Sequence, residues 1–235
     1  MPAPSIPIVP DDPDIETGAI GALRRRMTEP EPMTWSFIGD SVTAAGWHTF
    51  GHRGYVELFN ERVRELWRRT DIVINAGHSG WQVEDLLDDL DRIAVRFTPN
   101  VVVIGIGIND TKKGPDGTPV FMDGYRHVVQ QLRDAGVDHI ISQTPNRSLP
   151  TAPDHVVDHL ESYVTATREL SAELGTILVD HHGAWQDAED GSWFHWLGHG
   201  CHPNAAGHRA LHRQLCTTLG IWNPEDSRTC RLSIP

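Results

Sequence analysis

Cysteine is scarce in this sequence and its spacing is wrong for pairing: Cys201, Cys216 and Cys230 are the only three among 235 residues. An odd count with no CxxC argues against a disulfide framework and favours a reducing, cytoplasmic setting. Long apolar runs are missing as well. No stretch approaches the roughly 18 residues that mark a membrane-spanning helix, so no membrane partner is expected. Met1 to Pro10 contains four prolines but neither a basic flank nor an apolar centre, and reads as no signal peptide. Basic charge is in deficit: 20 Lys and Arg stand against 32 Asp and Glu, for a formal charge of −12. That balance disfavours nucleic acid or an anionic membrane surface as the main partner. There is no HExxH, and Gly105-x-Gly107 lacks the remaining glycine and the strand–helix context of a dinucleotide fingerprint. Neither a metal nor a cofactor is expected.

What is present suits a soluble globular chain. Hydrophobic residues make up 39% and charged residues 22%, and a chain of this length buries about 70–75% of its unfolded surface. Three parts are expected: a proline-rich segment with a short helix over 1–32, one domain over 33–222, and a tail over 223–235. Residues 1–13 are expected to lack regular structure, and Ile15 to Met27 to form a short amphipathic helix. Buried strands are predicted at Thr34–Ile38, Asp71–Asn75, Val101–Gly107, 138–143 and Thr176–Asp180. Helices are predicted at about 55–69 (Val56, Phe59, Val63, Leu66 and Trp67 inward), 82–96, 121–135, 154–174 and 204–219. A Trp/His/Gly loop is read over 183–203. Strands alternating with helices point to a parallel sheet covered on both faces.

The chain is organised around Thr34-Trp-Ser-Phe-Ile-Gly-Asp-Ser-Val-Thr43. A serine at the C-terminal end of a first parallel strand lies where open α/β sheets carry their chemistry. Taken alone, the stretch is equally well read as a strand-to-helix turn with Ser41 as an ordinary cap. In a parallel sheet, however, the ends of all strands share one edge, so Ser41, Gly77 and Asn109 can meet there. Ser41 would supply a nucleophile. Its own N–H, the N–H of Gly77 and the Asn109 amide would supply oxyanion donors, and His202 a base.

These residues resemble the SGNH, or GDSL-type, hydrolase family. Gly39-Asp40-Ser41-Val42-Thr43 is similar to its nucleophile block, and Gly77 in Asn75-Ala-Gly-His-Ser-Gly80 to its glycine block. Gly107-Ile-Asn109-Asp110 matches the Gly-x-Asn-Asp block, and His202-Pro203-Asn204 the histidine block. The four occur in order over residues 34–219. The resemblance implies a flavodoxin-like three-layer α/β/α sandwich with a five-stranded parallel sheet. It also implies a serine esterase acting on small acyl esters, including O-acetyl groups of sugars or small metabolites, through an acyl-Ser41 intermediate. An acyltransferase on the same site and a catalytically weakened carbohydrate- or metabolite-binding domain are the alternatives. The sequence leaves the oligomeric state open.

One position departs from the family pattern. Where Asp usually stands three residues before the histidine, this chain has His199. Either the backbone carbonyl of residue 199 orients His202, leaving a Ser–His dyad, or an acid such as Asp187, Glu189 or Asp190 reaches in from the preceding loop, or the site is weakened or repurposed. Histidine is abundant, with fourteen in all. The spacing His195, His199, His202 and the pair His208/His212 are read as solvated or substrate-lining rather than as zinc ligands. Asp110 reads as a structural carboxylate. Cys201 reads as a small packed residue pointing away from His202. The aromatic residues Trp47, His48, Trp81, Trp185, Trp193, Phe194 and Trp196 lie near the catalytic edge. Some must be core, while others can wall the substrate.

Overall fold

The computed structural model describes residues 17–66, 70–232 and 234. The proline-rich reading of 1–13 and the inward Trp67 therefore lie outside the described residues. The predicted first helix is present as α1, Gly18–Thr28.

Strand β1 (Thr34–Gly39) has apolar residues on both of its faces because both faces are covered. Trp35 and Phe37 point into a cluster with Tyr55, Phe59 and Val63 of α3 (Tyr55–Glu65). The same cluster takes Leu211 and Leu215 from α9 (Ala205–Thr218). Ile38 points the other way, into a cluster with Leu86 of α4 (Val83–Asp88), Val128 of α6 (Thr118–Asp134) and Leu170 of α7 (Asp154–Leu174). The period-2 alternation of a strand thus feeds two separate cores.

The remaining strands are β2 (Ile72–Gly77), β3 (Val101–Gly105), β4 (His139–Gln143) and β5 (Ile177–Val179). All pair in parallel in the order β2-β1-β3-β4-β5. This is the flavodoxin-like order, and the three-layer sandwich with a five-stranded parallel sheet holds as expected. Gly39 is in register with both Gly77 and Gly105, so the ends of β1, β2 and β3 are level.

Several local expectations give way. β2 is an edge strand rather than a buried one, and Ile72 is 57% exposed. Its apolar sequence does not report how many neighbours the sheet provides. The helix predicted over 82–96 is divided into α4, α5 (Leu90–Ile93) and a 3₁₀ turn at Val95–Phe97. Asp89 leaves helical geometry at φ −107°, ψ 9°; aspartate competes with the helix for its own backbone groups. The stretch over 183–203 is not a plain loop. It holds most of α8 (His181–Gln186), a 3₁₀ segment at Glu189–Trp196, and an antiparallel hairpin of β6 (Leu197–His199) and β7 (His202–Pro203). No helix among the described residues is long and apolar enough to cross a membrane.

Candidate active site

The turn after β1 is clamped from both sides. The His78 N–H donates to the Gly39 carbonyl at 2.9 Å, and the Asp40 N–H donates to the Gly105 carbonyl at 3.2 Å. Asp40 then caps α2 (Ser41–Ala44) by accepting from the Val42 N–H at 2.9 Å. Burial pushes the Asp40 carboxyl up to about 7 despite that bond. Ser41, at the first position of α2, has a backbone N–H with no intrahelical acceptor.

Gly77 is required here by close approach. A Cβ on it would lie 2.4 Å from the Ala44 nitrogen and 2.8 Å from Thr43. Its N–H donates to Asn75 Oδ1 at 3.1 Å, so it is already engaged. The N–H of Gly80, in the turn that follows, has no such acceptor among the described residues. Asn109 comes off β3 at the same edge. One of its amide hydrogens goes to the Trp81 carbonyl at 3.0 Å, and its own carbonyl accepts from Gln82 Nε2 at 3.0 Å. Asp110 accepts from the Val83 N–H at 3.0 Å and is pushed up to about 6 by burial. It ties the β3 loop to α4, a structural role.

His202 is delivered by the hairpin. Gly200 adopts φ +50° and turns β6 into β7. The Gly200 carbonyl is held by the Leu149 N–H at 2.8 Å, and the Cys201 carbonyl by Asn146 Nδ2 at 3.0 Å. Asn204 closes the far side, accepting from the Ala206 and Gly207 N–H groups at the start of α9. His202 Nε2 then lies 2.9 Å from Ser41 Oγ, the distance of a hydrogen bond.

The other ring nitrogen of His202 meets no carboxylate among the described residues. Burial, with His48 and His199 beside it, lowers the imidazole to about 4, against a backbone hydrogen bond to His199 that raises it. Of the alternative acids, Asp187 is not among the groups acting on His202, and the side chains of Glu189 and Asp190 lie outside the described residues. Cys201 corrects an expectation. Its Sγ lies 3.8 Å from His202 Nδ1 instead of pointing away, because residue 201 belongs to the turn and not to an extended run. Burial pushes the thiol up to about 11, so it is neutral.

The aromatics separate cleanly. Trp185, Trp193 and Trp196 are core. His48 stacks on His202 with ring centroids 3.7 Å apart, and His78 stacks on Trp81 at 4.1 Å. Trp47, Phe50 and Phe194 face solvent. His208 and His212 are buried. His208 Nδ1 accepts from the Tyr55 N–H at 3.3 Å. The stack of His48 on His202 had no local signal in the sequence.

The model of the GDSL-like lipase/acylhydrolase family matches residues 37–210. An acetylxylan esterase of Geobacillus stearothermophilus is 27% identical over 203 residues, covering 79% of this chain and 93% of its own. The crystal structure of an acetylxylan esterase from the same organism aligns with TM-score 0.64 at 23% identity, over 80% of this chain and 94% of that one. An α/β hydrolase enzyme from the metagenome of Lake Arreo, Spain, aligns with TM-score 0.66 at 24% identity, over 81% and 96%. The structural likenesses carry the fold.

Proposed function

Since the chain belongs to the GDSL-like lipase/acylhydrolase family and is a carboxylic ester hydrolase, we propose that it removes small acyl groups, acetyl foremost, from a sugar or small metabolite by way of acyl-Ser41. The observation that carries this reading is the 2.9 Å contact of Ser41 Oγ with His202 Nε2. Acetyl as the acyl group is supported by the likeness to an acetylxylan esterase.

In this mechanism Ser41 Oγ attacks the ester carbonyl while His202 Nε2 takes its proton. The tetrahedral oxyanion is held by the Ser41 N–H, the second amide hydrogen of Asn109 and the N–H of Gly77 at the end of β2, which must release Asn75 Oδ1 to serve there. Collapse expels the alcohol, which takes the proton back from His202. Water then repeats the sequence on the acyl-enzyme, returning Ser41 and releasing the acid. His202 works without a carboxylate behind it, as a dyad whose ring is oriented through the backbone of His199. The cytoplasmic setting, proposed from three unpaired cysteines, fits a metabolite ester as substrate.

The test is labelling with an active-site-directed fluorophosphonate, together with turnover of p-nitrophenyl acetate and acetylated xylooligosaccharides. Wild-type protein should be labelled at Ser41 and release acetate, and folded Ser41→Ala should do neither. A wild-type protein that is folded but neither labelled nor active would overturn the reading. Acetate transferred to an added alcohol in preference to water would replace the esterase by an acyltransferase.

A further inference from the structure

The ring of His202 has one face covered. His48 lies against it at 3.7 Å between centroids, with the planes 17° apart. The segment carrying His48 is held at both ends. Ala45 and Phe50 take left-handed conformations at φ 57° and 52°, which non-glycine residues adopt only when their surroundings impose it. Thr49 is buried beside them. Gly54 fits tightly against Ala45, where a Cβ would come to 2.4 Å of the alanine side chain. The next residue, Tyr55, is tied through its N–H to His208. The path of this segment places His48 over the base.

We propose that His48 is a positioning residue of this site: its ring, stacked on His202, holds the imidazole plane toward Ser41 Oγ alongside the backbone of His199, where no carboxylate of a described residue does so. This rests on the Ser41–His202 reading above and adds to it a second group that fixes the ring. The stacked ring limits tilting of the His202 plane about the line between its contacts with Ser41 Oγ and with the backbone of His199. Burial and His199 both lower the affinity of His48 for a proton.

Among the described residues the groups around the pair are few. Ser41 faces His202 from α2, His199 and Cys201 from the hairpin, and His48 from its own segment. His208 approaches from α9 and is itself disfavoured as a cation by His48 and His202. Charge on His48 opposes charge on His202. Replacing His48 therefore has a signature on the base that loss of packing elsewhere lacks.

The experiment compares His48→Ala, His48→Gln and His48→Phe in the full chain. It reads kcat and KM for p-nitrophenyl acetate across pH, melting temperature, and the titration of the His202 ring nitrogens by NMR. Ala and Gln should each lower kcat about tenfold with KM changed by less than about twofold, and Phe should return kcat to within about threefold of wild type. In all three the acidic limb and the NMR midpoint of His202 should move to higher pH, because the opposing imidazole is gone. Wild-type kcat in folded Ala and Gln variants would overturn the proposal. A loss confined to KM would overturn it also, as would a Phe variant no better than Ala. Should wild type itself fail to label at Ser41, the esterase reading falls, whereas the NMR midpoint still reports whether His48 acts on His202.

Discussion

The rings of His199 and His202 are 6.4 Å apart between centroids, although the two residues are partners across the β6–β7 hairpin. What reaches the His202 ring from residue 199 is its backbone, and the His199 imidazole acts only as a nearby positive charge when protonated. His199→Ala is accordingly expected to keep activity within about tenfold, because any non-proline residue retains the carbonyl, while His202→Ala loses about 10³ or more. His199→Asp is expected to raise the His202 imidazole and shift the acidic limb of the pH–rate profile upward. Measured kcat/KM across pH decides this. A gain near 10⁴ in His199→Asp would mean that His202 is not oriented in the wild type.

Asn109→Ala is expected to lower kcat by about 10²–10³ with little change in KM, since its amide is proposed to meet charge that exists only in the transition state. The same side chain also tethers the Trp81 carbonyl, so the variant's melting temperature is read alongside. An effect on KM alone would move Asn109 to ground-state binding.

Gly77→Ala tests packing beneath Ser41. A Cβ meets backbone atoms of Thr43 and Ala44 at under 3 Å, and neither can swing away as a flexible side chain would. The expected result is a loss of about 1–3 kcal/mol in stability and a fall in activity as α2 shifts. Unchanged unfolding and activity would show that α2 yields without consequence for Ser41.

The pH dependence has two parts with different signs. The proposed mechanism needs His202 neutral, and its affinity for a proton is lowered to about 4, so kcat/KM should stay level down to pH 5 and fall as pH drops through about 4. Stability should fail earlier. His181, His208 and His212 are pushed down to about 3 by burial. With His202, they bind protons in the unfolded chain from the ordinary histidine value of about 6.5 downward, but not in the native one. Their stability is present above that value and is lost progressively as pH falls toward the native values. Asp40 and Asp110, raised to about 7 and 6, act in the opposite direction. Four histidines outweigh two acids, so the melting temperature should drop steadily between pH 6 and 4. A melting temperature that rises over that interval would show the acids to dominate.

The sequence by itself determined the layers and singled out Ser41 and His202, whose side chains lie 2.9 Å apart. Trp35, Phe37 and Ile38 announce a strand with two apolar faces, and Val101 to Gly105 do the same, because burial on alternate sides imposes a period of two that needs no knowledge of the partner. Ser41 and His202 were legible as the proposed nucleophile and base because such groups are specific residue types at strand and helix junctions. Only the tertiary structure decided that β2 is an edge, that Asp89 interrupts a helix, and that Trp185, Trp193 and Trp196 are core while Trp47 faces solvent. Those outcomes depend on how many neighbours each element acquires, which local pattern does not carry. The same holds for the engaged N–H of Gly77 and for the stack of His48 on His202. A residue after β1 and one on the β6–β7 hairpin meet through the registry of strand ends and two left-handed residues, and neither their spacing nor their type records that contact.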